Sequence, residues 1–463
     1  MTVNEQLRSV TSSTSIGRLA RAGHQLHLRV LSVTGSIALC LLCAGLLALT
    51  PSPSASAATP TTTFIAASKA TAASAQQLAA AEQKTRDTPT NGAAWKDLGL
   101  TYIRRAYETA DPAFYPLAST ALDRAGALLK NSADLLAARA SLALARHQFG
   151  MARTLATSAL ALQPNSFAAS VALVDATVEL GAYDEAAVLV DRLIDQRTGV
   201  ASLSRLSYLR QLQGDMLGAE AVMRSAVAAS SDGSLDRSVT LAYLGEILLE
   251  RGKGDAAARA FTSALAINPG SAVAAMGMAR LQAGASDWTA AAATLDALTD
   301  RVPVPGALGQ RADVARARHD RPGELAADQL VDASISLFRA NGAVVDSELA
   351  ILLADRGPAS SGPALVAARK AYADRKTIFT EDAMAWALFQ SGQAKSAREY
   401  AIRAVSSRPA VASVRWHAAA IFAAVGDKAA ARTELQAAVA NRWFSASQRP
   451  GVLALATQLG VQS

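Results

Sequence analysis

Two pairs of carboxylates stand four residues apart in this chain, Asp175 with Glu179 and Glu246 with Glu250. On a helix that spacing places both members on one face, where like charges repel mildly unless a cation meets them. Such a face would capture a basic group electrostatically, and the same spacing also fits an ordinary solvated surface. Further along, Asp382, Trp386 and Phe389 share one helix face, and Trp416 projects in the same way from a later helix. Large aromatics anchor a partner's apolar side chain when they line a pocket. They fill the space between helices when they do not.

The rest of the chain lacks the spacing of a catalytic or metal-binding set. The five histidines (His24, His27, His147, His319 and His417) are scattered. His319-Asp320 is an isolated pair suited to a solvated helix end, and His147 falls where a surface turn is expected. Gly252-Lys253-Gly254 lacks the Lys-Ser/Thr that completes a phosphate loop. Cys40 and Cys43 lie inside an apolar run without partner ligands, so membrane packing fits them better than metal. No catalytic residue, metal or cofactor is expected, and the chain reads as non-enzymatic.

The elements that must position these side chains announce themselves by repetition. Alanines recur at Ala152, Ala186, Ala219, Ala257, Ala291, Ala364, Ala397 and Ala431, mostly 33 or 34 residues apart. A glycine precedes most of them by five to seven residues, from Gly181 to Gly426. A period near 34 marks a helical repeat array. The small residue lets paired helices approach, and glycine absorbs the turn between them. Trp95-x2-Leu98-Gly99-x2-Tyr102 and Ala257-x3-Phe261 quote the two halves of one pattern, and Pro164, Pro269, Pro303 and Pro409 fall where the next unit begins.

The chain thus resembles the tetratricopeptide repeat family over residues 90–442. The resemblance implies an all-α fold, a right-handed α-solenoid of about ten helix-turn-helix units. It implies further that ligands sit on the concave face built by the first helix of each unit. Asp175, Glu179, Glu246, Glu250, Trp386, Phe389 and Trp416 are the candidate partner-binding residues there. The paired Lys and Asn residues with which some members hold a terminal carboxylate are replaced by Ala, Ser, Leu and acidic residues.

Domain organisation follows from the same pattern. Residues 1–57 run from a basic stretch through the uncharged segment Val30–Leu49 to Ala55-Ser56-Ala57, the order of a signal peptide or signal anchor. Residues 58–89 read as a linker and capping helix, 90–304 as an N-terminal array and 305–342 as an irregular repeat or bend. A C-terminal array follows at 343–442, with a capping helix at 443–463. The formal charge is +7, of which the first 57 residues carry +3, so the remainder is too weakly basic for a nucleic-acid surface. The expectation is an extracytoplasmic scaffold, secreted or anchored, that holds a protein or peptide partner in its groove. Membrane contact would come only through the N-terminal segment. Self-association through an alanine-rich convex face, or regulation of a separate enzyme, are the other readings.

Overall fold

The computed structural model describes residues 62–462 apart from Ala110, residues 441–444 and residues 446–447. The expected signal or anchor, with Cys40 and Cys43, lies outside the described residues. Among the described residues there are 22 α-helices and no strand. None of these helices is long and apolar enough to cross a membrane.

Helix α1 (Thr62–Asp87) leads into ten helix pairs. The first five are α2 (Gly92–Thr109) with α3 (Phe114–Leu128), α4 (Ala133–Ala145) with α5 (Phe149–Leu162), α6 (Phe167–Glu179) with α7 (Tyr183–Gln196), α8 (Val200–Leu212) with α9 (Met216–Ala229), and α10 (Leu235–Glu250) with α11 (Gly254–Ile267). The next are α12 (Ala272–Gly284) with α13 (Trp288–Thr299), and α14 (Pro305–Ala317) with α15 (Arg321–Ala340). Then come α16 (Asp346–Asp355) with α17 (Ser361–Asp374), α18 (Ile378–Gln390) with α19 (Ala394–Ala404), and α20 (Ala412–Ala424) with α21 (Lys428–Val439). Helix α22 (Arg449–Leu459) closes the stack.

Local chemistry explains where each helix begins. Ser132, Ser166, Ser234 and Ser271 precede α4, α6, α10 and α12, each accepting a hydrogen bond from the backbone N–H three residues on. Asp215, Asp287, Asp320 and Asp427 do the same for second helices. Each cap satisfies a donor that the first helical turn leaves open, a contribution of about 1 kcal/mol. His319-Asp320 is therefore a turn residue followed by a helix cap.

The turn inside each pair from the second to the tenth holds one residue in the left-handed region. Glycine supplies it at 181, 214, 252, 357, 392 and 426, whereas His147, Ser286 and His319 supply it elsewhere. Five residues after most of these turns comes the recurrent alanine, fully buried at Ala152, Ala186, Ala219, Ala257 and Ala291. In the seventh pair that place belongs to Glu324, which is buried between Arg316 and Arg321 at 2.9 and 2.7 Å. Burial works against its charge, but the two guanidiniums outweigh it and hold the carboxyl below the usual range. The missing alanine of the period is thus a carboxylate with its own counterions.

The two helices of a pair are buried differently. Second helices such as α5 bury a single stripe, Ala152, Ala156 and Ala159, behind Phe149. Several first helices are covered nearly all round: α10 buries every residue from Ala242 to Leu249, and α18 every residue from Thr380 to Leu388. A helix buried on all faces needs neighbours on all faces. Phe261 shows how tightly they close, because a Cβ at Gly245 or Gly277 would fall within 2.4 Å of its ring. Truncating so enclosed a phenylalanine to alanine costs about 3–5 kcal/mol.

The extra cover for the first helices comes from the array itself. The turns of the early pairs dock on the loops that separate the late pairs. Val344 donates its N–H to Arg146 O at 2.9 Å, while His147 Nδ1 meets Val344 O at 3.0 Å. One pair further, Arg375 reaches Glu179 at 2.6 Å and covers the Phe149 ring at 4.6 Å. Ile378 donates its N–H to the Tyr183 hydroxyl at 3.3 Å. Beyond that, Gly214 faces Arg408 O, Gly252 faces Ala440 O, and Arg449 donates to Gly284 O at 3.0 Å. The concave face expected to be an open groove is therefore largely closed by the later repeats.

The stack is also interrupted once. Successive pairs pack helix on helix throughout, but between α14/α15 and α16/α17 those contacts become sparse. Long side chains bridge the space: Arg339 to Asp346 at 2.5 Å, Arg356 to Asp328 and Asp332, each at 3.0 Å, and Leu349 and Leu352 packed on the apolar cluster of α14 and α15. Residues 305–340 are themselves an ordinary helix pair, and the irregularity follows them.

Candidate functional site

Where the late repeats close over the early ones, a cavity of about 220 Å³ remains. Glu246, Glu250 and Arg280 reach it from α10 and α12. Asp355, Asp382 and His417 reach it from α16, α18 and α20. Asp313 and Asp328 bring its carboxylates to six, against the arginines 280, 316 and 356, so the lining has an acidic excess.

Each of these side chains is placed by the repeat register. Glu246 lies six residues before its turn glycine and Glu250 two before, as do Asp175 and Glu179. Arg280, Asp313 and Trp386 occupy the six-before position in their own pairs, and Asp355 the two-before position. Inward-facing positions of neighbouring first helices therefore meet one repeat apart.

In the third pair that meeting produces a closed arrangement. Arg205 grips Asp175 through two bonds of 2.7 and 2.5 Å, with both side chains fully buried. Burial pushes the Asp175 carboxyl up to about 6 against the pull of Arg205. Burial likewise pushes Glu179 up to about 7, although Arg375 stands beside it. An exposed acidic patch at Asp175 and Glu179 is thus not what the fold provides. Both are buried structural ion pairs, because the late repeats cover this part of the inner face.

The fifth pair is arranged otherwise. Arg280 contacts Glu246 directly, and its second nitrogen stands 3.7 Å from Glu250. The Glu250 Oε2 atom is buried with no hydrogen-bond partner among the described residues. Burial pushes its carboxyl up to about 7, with Arg280 pulling down, Glu246 pushing further up and a hydrogen bond from the Ala412 N–H pulling down. An unsatisfied carboxylate oxygen beside a polar cavity favours any cation that can reach it.

The aromatic candidates are interior. Trp386 and Trp416 are 6 and 7% exposed and belong to one apolar cluster, with Phe389 packed against it. Trp386 stacks on Phe389 at 5.2 Å and on His417 at 4.0 Å between centroids, while its Nε1 donates to Asp355 at 2.9 Å. Trp416 faces Gly451 of α22 instead. The expected aromatic pocket for an apolar anchor is therefore a core stack, made so by the all-round cover of α18 and α20.

What the stack supports is polar. His417 Nδ1 lies 3.0 Å from Asp382, and its Nε2 lies 3.2 Å from the Gln448 amide nitrogen. A proton on Nδ1 suits both contacts. Burial lowers the imidazole, but Asp382 and Asp355 outweigh it, so the balance is upward. Burial raises the Asp355 carboxyl, partly offset by His417 and the Trp386 hydrogen bond. The second nitrogen of His417 meets an amide rather than a hydroxyl or thiol, so this pair does not activate a nucleophile. Among the described residues no group of three His, Cys, Asp or Glu side chains is set to hold a metal.

His417, Asp355 and Arg280 were not singled out from the sequence. A signal was present: Asp382 and His417 are 35 residues apart, and Glu246 and Arg280 are 34 apart, one repeat in each case. His147, expected at a surface turn, is in a turn but buried. It stacks on Phe149 at 5.4 Å and faces Glu348 at 3.6 Å.

Residues 248–311 match a family model described as tetratricopeptide repeat. No curated protein matches the chain. Among solved structures, YrrB, "a TPR protein with an unusual peptide-binding site", is 18% identical, covering 39% of this chain and 91% of its own, with a TM-score of 0.27. PilF of Pseudomonas aeruginosa is 18% identical over 51% of this chain and 88% of its own, with a TM-score of 0.27. A tetratricopeptide repeat protein from Parabacteroides merdae is 12% identical over 71% of this chain and all of its own, with a TM-score of 0.31.

Proposed function

We propose that this chain, a tetratricopeptide repeat protein by its family match and its stacked helix pairs, is a non-enzymatic scaffold that receives a cationic side chain of a protein partner in its internal cavity. The observation that carries the reading is the unpartnered Glu250 oxygen beside a cavity whose carboxylates outnumber its arginines. Glu246, Asp355 and Asp382 supply further acceptors around the same space. The volume of about 220 Å³ suits one guanidinium or ammonium head on its stem, not a folded domain. The partner would therefore offer a protruding lysine or arginine from an extended or terminal segment.

The reading includes a place outside the cytoplasm. Support comes from the sequence alone, where Arg8, Arg18, Arg21 and Arg29 precede the uncharged Val30–Leu49 stretch and a small-residue site. Protease accessibility of the repeat region in intact cells tests this part. Protection of the repeats would refute it.

Titration of the full chain with an arginine–alanine hexapeptide tests the cavity. Glu250→Gln combined with Asp355→Asn is expected to weaken binding at least tenfold, and salt to weaken it as well. Equal affinity in the double variant would remove the cavity from the reading. A second reading, self-association, draws on the apolar side chains that the outer helices expose, including Met151, Val188, Leu217 and Val366. Sedimentation that depends on concentration without any peptide would favour it.

A further inference from the structure

We infer that the docking of turns on loops is a latch, and that residues 341–345 are the hinge about which α16–α22 swing to open the cavity. The inference rests on the cavity reading for its purpose but not for its geometry. Three observations meet here. The two halves of the stack are joined by one short loop, with Gly342 in the left-handed region, exactly where helix packing becomes sparse. The bridges across that joint are ion pairs of arginines 339 and 356, which side-chain rotation can follow, and the pivot-side packing of Leu349 and Leu352 on the cluster of α14 and α15. The cavity has one wall on each side, Glu246, Glu250 and Arg280 against Asp355, Asp382 and His417, so its width depends on the angle between them.

The contacts along the latch are regularly spaced and polar at the turns. Apolar contact is local: Ile378 and Phe379 pack among Val171, Val174 and Leu209, and beside the joint Val345, Leu349 and Leu352 pack on the cluster of α14 and α15. Polar interfaces between parts of one chain permit relative motion unless a large apolar area opposes it. Hinges of this kind are a few loop residues that absorb the change in backbone angle.

Glycine makes the latch testable. A Cβ at Gly181 would stand 2.1 Å from Lys376 O, and one at Gly214 would stand 2.5 Å from Arg408 O. Gly392 and Gly426 share the same positive φ, yet a Cβ there would meet nothing within 4 Å. Alanine at any of the four strains its turn. Only the first two would also push the halves apart.

The experiment measures distances by pulsed electron spin resonance on the full chain. Labels are attached through Asp184→Cys and Ser406→Cys in a Cys40→Ser, Cys43→Ser background. Gly181→Ala and Gly214→Ala are expected to lengthen and broaden the distance distribution, whereas Gly392→Ala and Gly426→Ala leave it as in the parent. Should an alanine variant fail to fold, Arg375→Gln removes the bond to Glu179 without touching the backbone and is expected to lengthen it too. Parent-like distances in every folded latch variant, or equal lengthening in the two controls, would overturn the latch. The arginine–alanine hexapeptide is then added to the parent. A shift on binding supports gating of the cavity, and binding without a shift refutes it. Opening without any peptide binding refutes the cavity reading and leaves the latch standing.

Discussion

The third and fifth repeats carry the same acidic pair at the same register, yet one pair is closed and the other open. Asp175 and Glu179 each have a guanidinium, Arg205 from the next repeat and Arg375 from the other half. Glu246 and Glu250 share Arg280, and one oxygen of Glu250 has no partner among the described residues. A local pattern therefore sets where a carboxylate points, while its role is decided by what the distant half brings opposite. Where an arginine arrives the pair holds the fold together. At Glu250 the distant loop brings the Ala412 N–H but no arginine, and one carboxylate oxygen is left beside the cavity.

Removing cations from the closed pair is expected to have the largest effect. Arg205→Leu leaves Asp175 buried without a partner and should destabilise by about 3–5 kcal/mol in urea unfolding. Asp175→Leu added to it should recover most of that loss, because a buried ion pair and a well-packed apolar pair are often near equal. A double variant as unstable as Arg205→Leu alone would mean that the pair does more than cancel its own burial.

At the open pair, removing a charge should stabilise rather than destabilise. Glu250 holds its proton to about pH 7 in the folded chain, against 4.5 for an unperturbed glutamate. Folded chain thus binds the proton more tightly than unfolded chain, and stability falls as pH rises from about 4.5 to about 7. Glu250→Gln should remove that residue's share of the fall, a gain of about 3 kcal/mol at pH 8 that vanishes near pH 4, while Asp175 and Glu179, raised to about 6 and about 7, keep theirs. Thermal melts across that range check it, and a pH-independent difference would contradict the burial account. For the same reason hexapeptide binding should strengthen from pH 6 to pH 8, as Glu250 ionises.

The smallest effect sharpens the contrast from outside. Arg153 and Glu185 form an ion pair on outer helices at 2.8 Å, with both side chains more than 40% exposed. Arg153→Ala should change stability by less than about 1 kcal/mol, and more than that would show these outer faces to be coupled.

Much of the fold could be read from residues that touch near neighbours. The buried alanines and their turn glycines repeat because the same local packing repeats, so Ala152 to Ala431 marked the helix pairs correctly. At three turns the left-handed residue is not the glycine of the pattern, because His147, Ser286 and His319 adopt that conformation. The seventh unit looked irregular because Glu324 stands where alanine does elsewhere, its charge met by Arg316 and Arg321. Arg375 could not have been matched to Glu179 from spacing, since 196 residues separate them and no local pattern links them. Asp175 and Trp386 stand at the same register of their first helices, six residues before the turn glycine, yet nothing local shows that a stack folds back on itself and covers them.

The pairing of turn with loop also constrains how many units the chain can hold. An open stack tolerates gain or loss of a unit, since each one touches only its neighbours. Here Gly181 faces Lys376 and Gly214 faces Arg408, two rulers laid against each other with nearly equal divisions. Inserting one unit between them would slide every later mark past its counterpart and set Glu179 opposite a loop without Arg375. Copy number, which drifts freely in open arrays, is fixed in this one by its own tertiary register.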